Sequence, residues 1–358
     1  MPVILGKRPQ TLPLAVAGVC ALILAGCQWE VSEVPLPRPD PTPSPSPTPE
    51  VQFAESSRVA TSASEVTLEE QVAVANADLV TSATSAAVGE ATAFERATRR
   101  LAVAPVSSAG DWATARESLA AAKRAYRKTE AAIFYVDPES PDELAAQPDP
   151  FGAAAAALDA SHAFAEVDRR LAKLGRLTAG ATGGDVLGEV IETLSELAAW
   201  SGRLRTDLQS LADAWDPAAA AGFREKYFLA SPEHAVARIF QGLLAQSGDV
   251  LPRRLVDRAL APAEVSGRTD ALQDLYLGIT EEYPEGRGPH DLVFAVAPAQ
   301  AMATYGAIAQ AVAWAEALAL APGNSDARRQ LQAALEQATR QLELAASALG
   351  IRIVDGPE

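Results

Sequence analysis

The sequence predicts an all-α protein built from two packed antiparallel helical bundles. Apolar residues recur at helical spacing almost without a break beyond about residue 67, and no alternating apolar and polar run of strand length competes with them. Proline and glycine fall between the periodic segments, as expected of short helix connections. About nine or ten helices result, which exceeds one four-helix bundle and predicts two.

The N-terminal residues predict export and a lipid anchor. An apolar run over 12–25 is too short to span a bilayer comfortably and is typical of a signal peptide. It ends in the tetrapeptide LAGC at Cys27, which resembles a bacterial lipoprotein signal. We therefore expect residues 1–26 to be removed and Cys27 to be acylated, which anchors the protein to a bacterial membrane. An ordinary signal or a membrane anchor with a chance cysteine is the alternative.

The segment after Cys27 predicts a spacer. Residues 27–64 are polar and rich in proline, and every second residue from Pro35 to Pro49 is proline. Such a sequence adopts extended polyproline at about 3.1 Å per residue, so this stretch spans roughly 45 Å. It would hold a helical domain over 65–354 away from the membrane, and Gln28 is compatible with the outer membrane facing the periplasm. A docking peptide for a proline-recognising domain is the alternative.

Start and stop signals place the helices in order. Serine, aspartate or asparagine before a periodic segment predicts a helix start, and proline and glycine predict the ends. Bundle 1 is expected over about 65–180 and bundle 2 over about 181–350. The predicted helices are 67–101, 111–138, 153–174, 185–215, two shorter ones from Asp216-Pro217 and Ser231-Pro232, one from Pro252, 266–283, 298–320 and one capped by Ser325 that ends near Leu349.

The helix predicted over 111–138 has one charged residue on its apolar face. Its apolar stripe, at about 100° per residue, also contains Glu130, one turn after Tyr126. A buried carboxylate needs a partner. Two interpretations stay open: a structural carboxylate bonded to the Tyr126 hydroxyl or paired with Arg127 or Arg116, or a functional group.

The composition of the chain argues against one class of partner and limits the candidate metal ligands. The net charge of −16 argues against a nucleic-acid partner, because phosphate contacts need clustered Lys and Arg. The chain has only three histidines, His162, His234 and His290. His162 and Glu166 are four residues apart on a helix, so both can reach one cation or hydrogen-bond each other, and Glu130 is the natural third ligand.

Interpretations in which the histidines have no function stay open as well. The helical count places His162 and Glu166 opposite Phe164, which predicts a solvated polar face unless that face lines a cleft. His290 lies in a glycine-rich loop and is either incidental or close to a site. His234, in the first turn of its helix, is expected to be exposed.

Two segments resemble the imelysin-like family. Arg116, Tyr126-Arg127-Lys128 and Glu130 resemble its first core helix, and the stretch from Ser266-Gly267-Arg268-Thr269 through Gly278 to Tyr283 resembles its late helix. The family comprises all-helical cell-envelope proteins, including periplasmic iron-uptake components and members classed as metallopeptidases. Its proposed metal motif is glycine, any residue, histidine, two residues and glutamate. Here Ala160 replaces the glycine, and Glu166 comes one residue late.

The resemblance implies a binding site in the cleft between the bundles. Glu130, His162 and Glu166 are the candidate contacts for a divalent metal or iron, with Tyr126, Arg116, Arg268 and His290 as further cleft residues. We expect a non-catalytic, lipid-anchored envelope binding protein that assists iron or haem acquisition and that has iron, haem or an envelope protein as its partner. The alternatives are a metallopeptidase-like hydrolase, whose metal activates water, and a structural lipoprotein whose site has decayed.

Overall fold

The computed structural model describes residues 66–104, 109–133, 152–179, 185–220, 222–256, 262–280 and 283–352. These residues contain helices and no strand, which confirms the all-α prediction. The predicted signal peptide, Cys27 and the proline-rich linker lie outside the described residues. Ten α-helices are described: α1 Leu68–Val103, α2 Ala109–Ile133, α3 Ala153–Ala179, α4 Asp185–Ala214, α5 Pro232–Ala245, α6 Leu251–Val256, α7 Pro262–Leu277, α8 Pro289–Val296, α9 Pro298–Leu320 and α10 Ser325–Ala348.

Helices α1 to α4 pack together as a first four-helix group. Helix α1 lies along both α2 and α4, and α3 lies along α4. The sequence placed residues 185–214 in the second bundle. Their packing places them in the first, because α4 lies along α1 and α3 and buries Leu194, Leu204 and Leu211. The division between the groups therefore follows α4 instead of lying near residue 181.

The second group is built on α5, α7, α9 and α10. Helix α9 lies along α10 and α7, while the short helices α6 and α8 fill its sides. Helix α2 contacts both α7 and α5, so it is the helix of the first group that meets the second most closely. One continuous set of buried apolar side chains runs through both groups, from Phe94 on α1 to Tyr276 on α7 and Leu335 on α10.

The segment after α4 differs from the prediction. A helix was expected to start at Asp216-Pro217, but the described residues there form turns. The Asp216 carboxylate accepts a hydrogen bond from the Ala218 amide at 2.9 Å, which is the Asx-turn alternative that aspartate offers to a helix. The preceding Trp215 is fully buried against Phe223 and Phe228, with ring centroids 5.2 Å away in both pairs. The Ser231-Pro232 start is confirmed by α5.

Helix α7 ends earlier than the sequence predicted. It stops at Leu277, and Gly278 has a φ of +62°, so this glycine terminates the helix instead of lying inside it. A Cβ at Gly278 would lie 2.3 Å from the Arg287 carbonyl oxygen, and one at Gly288 would lie 2.4 Å from the Tyr276 carbonyl oxygen. Only glycine allows this crossing of the two backbone segments, which joins the end of α7 to the start of α8.

Candidate functional site

A cleft opens where α2, α3 and α7 meet, and it has a volume of about 290 Å³. We call it the α2–α3–α7 cleft. Three of the side chains that line it are cations, three are carboxylates, and the other four are uncharged. The lining residues are Lys123, Tyr126, Arg127 and Glu130 from α2, Ser161, Phe164, Ala165 and Asp168 from α3, and Glu264 and Arg268 from α7.

Helical spacing explains why these side chains converge. Lys123, Arg127 and Glu130 are separated by four and three positions, so they share one stripe of α2. Glu264 and Arg268 are four apart on α7 and therefore face the same way. Each helix thus contributes a charged stripe to the place where the two groups meet.

The most buried contact in the cleft joins Glu130 to Arg268. Arg268 Nη2 donates to Glu130 Oε1 at 3.0 Å, and Arg268 Nη1 lies 2.7 Å from Glu130 Oε2. The Glu130 carboxylate is therefore buried as predicted, and it pairs with Arg268 on another helix. Removing one member of such a pair leaves an uncompensated buried charge, which makes the contact costly to break.

A second set of ion pairs lies above the first. Arg127 Nη2 donates to Glu264 Oε1 at 2.7 Å. Lys123 Nζ donates to the two Asp168 oxygens at 2.7 and 2.6 Å and to Glu264 Oε1 at 3.4 Å. Gly267 makes room for this arrangement, because a Cβ there would lie 3.0 Å from Arg127 Nη1. Helices α2, α3 and α7 are thereby tied together by charge pairs at the cleft.

The charged side chains of the cleft fall into a buried set, which we call the floor, and a more exposed set, which we call the mouth. Arg127 and Arg268 each have side chains only 8% exposed, and Glu130 is 3% exposed. Glu264 and Asp168 are 24% and 50% exposed and lie at the mouth, bridged by Lys123. The floor therefore holds two guanidinium groups and one carboxylate.

The pKa shifts reflect this arrangement. Burial lowers the pKa of Arg127; Glu264 and Glu130 oppose that effect, whereas the neighbouring Arg268 adds to it. For Glu264, burial acts to raise the pKa, but the charges of Lys123 and Arg127 outweigh it, so the pKa of this carboxyl is lowered.

Tyr126 fixes one wall of the cleft. Its hydroxyl donates to the Ala157 carbonyl at 2.8 Å, and its ring centroid lies 5.2 Å from that of Phe164. Both contacts join α2 to α3. This tyrosine therefore positions the two helices and presents its ring to the cleft.

The structure separates His162 and Glu166 from this cleft. The cleft-lining residues on α3 are Ser161, Phe164, Ala165 and Asp168, and neither His162 nor Glu166 is among them. The His162 ring lies 5.5 Å from that of Trp200 on α4, and His162 is exposed, as a polar face predicts. Glu130, Tyr126 and Arg268 thus meet in one place, and His162 and Glu166 lie in another.

Glu166 also differs from the expected solvated position. It is 5% exposed, because Arg169 and Arg170 both pair with its carboxylate and cover it. Arg170 additionally lies 3.5 Å from Glu196 and stacks 5.0 Å above the Trp200 ring. Glu166 therefore belongs to an ionic contact between α3 and α4.

The remaining predicted residues lie elsewhere. Arg116 is exposed on α2 and does not line the cleft. His290 belongs to the second group, where its ring lies 5.6 Å from Tyr276 and 6.2 Å from Tyr305; burial lowers its pKa, and Asp291 opposes that shift. His234 is exposed in the first turn of α5, as predicted.

A resident metal ion does not fit the donors present. Within the described part of the chain, no three His, Cys, Asp or Glu side chains lie close enough together to hold a metal ion. The three carboxylates of the cleft already pair with cations. A metal ion in this cleft would have to bring ligands of its own.

A second, larger cleft of about 940 Å³ lies on the opposite side of α2. There Lys128 Nζ lies 2.5 Å from Asp274 Oδ2. Burial raises the pKa of the neighbouring Asp270, and the charges of Glu316 and Asp274 raise it further. Both charged and apolar residues line this cleft, and Asp270 is the carboxyl group in it whose pKa is raised.

Comparison with known proteins supports the fold. No protein-family model matches the chain, and no curated protein matches it. None of the helices in the described ranges is long and apolar enough to cross a membrane. The chain is similar to a crystal structure from Parabacteroides distasonis that is described as a candidate iron-regulated protein A precursor, with a TM-score of 0.53 and 14% sequence identity over 80% of this chain and 97% of that one. At this identity the likeness shows that the two proteins share an all-helical fold.

Proposed function

We propose that this chain is a lipid-anchored binding protein of the bacterial cell envelope that handles iron, with the α2–α3–α7 cleft as its binding site. The observation that carries the proposal is the gathering of six acidic and basic side chains from three helices in one cleft, with the buried Glu130–Arg268 pair among them. Burying ionic groups beside an open cavity is costly for a purely structural contact and is typical of a site that recognises a polar ligand.

The iron assignment draws on two sources of support. The Parabacteroides distasonis protein of similar fold is described as iron-regulated. The imelysin-like segments around Glu130 and Arg268 resemble a family that includes periplasmic iron-uptake components, and both of these residues lie in the cleft. An iron or haem ligand at this cleft is therefore the most economical proposal.

The proposed location is the outer membrane, with the helical domain facing the periplasm. Its support is the LAGC tetrapeptide at Cys27 and the proline-rich segment that follows it. A Cys27→Ser variant should lose palmitate labelling and move from the membrane to the soluble fraction of disrupted cells. A matched Cys20→Ser variant should stay in the membrane fraction. Continued membrane association of the Cys27 variant would contradict the lipid anchor.

The experiment for the binding site fills the cleft without changing its charges. Ala165 is exposed and lines the cleft, so an Ala165→Trp variant should occlude it. Ala199 is exposed on α4 and is not a lining residue, so Ala199→Trp is the matched control. Thermal unfolding would be measured for both variants and the parent, alone and with ferric citrate or haem.

A binding protein should be stabilised without turnover. A ligand at 100 times its dissociation constant adds about 2.7 kcal/mol to the free energy of unfolding. We expect that shift in the parent and in Ala199→Trp, and its loss in Ala165→Trp. No shift with either compound in the parent would contradict the iron proposal, and an intact shift in Ala165→Trp would contradict the cleft as the site. A hydrolase would instead cleave peptides and lose that activity to chelators.

A further inference from the structure

We propose that the α2–α3–α7 cleft recognises its ligand through ligand carboxylates, which engage Arg268 in competition with Glu130. The ligand class is an iron chelate of the hydroxycarboxylate type, which keeps its own metal–ligand bonds while bound. The inference rests on the proposed function for the location of the site, and it specifies what the site binds there.

The charge of the cleft floor favours an anion. Its deeply buried groups are two guanidinium groups, from Arg127 and Arg268, and the single carboxylate of Glu130. The carboxylates of Glu264 and Asp168 are more exposed and are shared with Lys123 at the mouth. A ligand that enters past the mouth therefore meets two guanidinium groups and one carboxylate, and the carboxylate that pairs with Arg127 comes from the mouth.

Arg268 also has N–H groups that donate no hydrogen bond to the described residues. Its Nε and Nη1 atoms are buried, and neither makes a hydrogen bond within the described part of the chain. Nη1 has an ionic contact with Glu130, and only Nη2 donates to that carboxylate with hydrogen-bond geometry. A guanidinium group carries five N–H donors in a planar fork that matches a carboxylate. Such unused donors in a buried place indicate that a further oxyanion can be accommodated.

The position of Glu130 makes it a competitor of that oxyanion. Its carboxylate lies 2.7 Å from Arg268 Nη1, and the Glu130 side chain is 3% exposed. An incoming carboxylate must therefore share Arg268 with Glu130 or displace it. Glu130 neutralises Arg268, and a bound ligand carboxylate takes over part of that role.

The proposal that the ligand is a chelate rests on which metal-binding side chains the described residues offer. No group of three metal-binding side chains occurs in the ranges that the structure describes, so the proposed ligand is one that carries its own metal-binding oxygens. Ferric iron prefers oxygen ligands, and a hydroxycarboxylate provides them. The outer carboxylates of the chelate then present negative charge to Arg268 and Arg127, and the Ser161 hydroxyl is available at the α3 side of the cleft.

The test is calorimetric titration of the full chain in detergent with citrate, ferric citrate, the neutral trimethyl ester of citrate, and haem. Citrate and ferric citrate should bind, and the ester should not. Glu130→Gln removes the competing charge and keeps the shape, so it should tighten both by about tenfold, whereas Arg268→Gln should weaken both by at least about tenfold. Glu95→Gln and Arg224→Gln are the matched controls, because both residues are buried and ion-paired but do not line the cleft.

The sign of the Glu130→Gln effect decides the matter. Weaker or unchanged citrate binding in that variant would overturn the inference, because it would show that the Glu130 charge does not compete with the ligand for Arg268. If Glu130→Gln does not fold, Glu264→Gln takes its place: it frees Arg127 and Lys123 at a more exposed position and should also tighten citrate. Weaker or unchanged citrate binding in that variant would overturn the inference equally.

The outcome also separates this inference from the iron proposal. Equal binding of citrate and ferric citrate would support the carboxylate site and contradict the role in iron handling. Binding of haem that is insensitive to Arg268→Gln, without citrate binding, would support iron handling and overturn the carboxylate site.

Discussion

Glu130 and Arg268 are 138 positions apart in the sequence, and their charged atoms lie 2.7 Å apart in the fold. The pair joins α2 of the first helical group to α7 of the second. Everything that is distinctive about the candidate site is arranged around this contact, including the neighbouring Arg127–Glu264 pair and the open cleft beside it.

The first prediction concerns the stability of this buried pair. Glu130→Ala leaves the buried guanidinium group of Arg268 without its carboxylate and should lower the free energy of unfolding by about 3–5 kcal/mol. The double variant Glu130→Leu, Arg268→Leu removes both charges and should recover most of that loss. Urea denaturation measures both values. A loss in the single variant no larger than that of Arg329→Ala, which breaks an exposed pair on α10, would contradict the buried role.

The second prediction contrasts two glycines. Gly278→Ala should destabilise the protein by more than about 1 kcal/mol, because φ is +62° and the new Cβ would lie 2.3 Å from the Arg287 carbonyl oxygen. Gly306→Ala, inside α9 with nothing within 4 Å of a new Cβ, should stabilise by about 0.5–1 kcal/mol. Thermal or urea unfolding of the two variants measures the difference. Equal effects at the two positions would show that the crossing at Gly278 is not tight.

The third prediction is a pH dependence at Asp270. Burial and the charges of Glu316 and Asp274 raise its pKa above the ordinary 3.8, so folding favours the protonated acid. Its contribution to stability is therefore greatest below the ordinary pKa and is lost as the pH rises through the raised value.

Asp270→Asn removes this unfavourable ionisation. The variant should be more stable than the parent at pH 7, and the gain should vanish near pH 3. Urea midpoints across this range measure the effect. Asp326→Asn, in an exposed pair at the start of α10, is the control and should show no such gain. A constant difference at all pH values would mean that the substitution acts through packing.

The fourth prediction concerns the start of α10. The Asn324 side chain accepts hydrogen bonds from the Asp326 and Ala327 amides, both at 3.0 Å, so Asn324 and not the expected Ser325 is the N-cap. Asn324→Ala should cost about 1 kcal/mol, whereas Ser325→Ala should change stability little. The reverse order in urea denaturation would restore serine as the cap.

Sequence periodicity predicts the fold well because most helices have clear apolar stripes and stops. The exceptions have local causes. Asp216 forms a turn with its own backbone neighbours, and Gly278 ends α7 because a distant backbone segment crosses there. Contacts between distant segments decide both where α7 stops and to which group α4 belongs, and a single sequence does not carry that information.

The site is predictable only in part. Helical counting marks Glu130 as buried, and the resemblance adds Tyr126 and Arg268. Lys123 was not predicted, and Arg127 was predicted only as a possible partner of Glu130, although their spacing places all three on one stripe of α2. The pairing of that stripe with Glu264 on α7 depends on how the two helical groups dock, and no local pattern specifies it.

The continuous buried core has a consequence for cooperativity. Apolar side chains pass without a break from α1 through α7 to α10, so neither helical group has a hydrophobic core that ends at their boundary. The helical domain should therefore melt in a single calorimetric transition whose van't Hoff and calorimetric enthalpies agree. A ligand held at the edge of this core then raises the melting temperature of the whole domain.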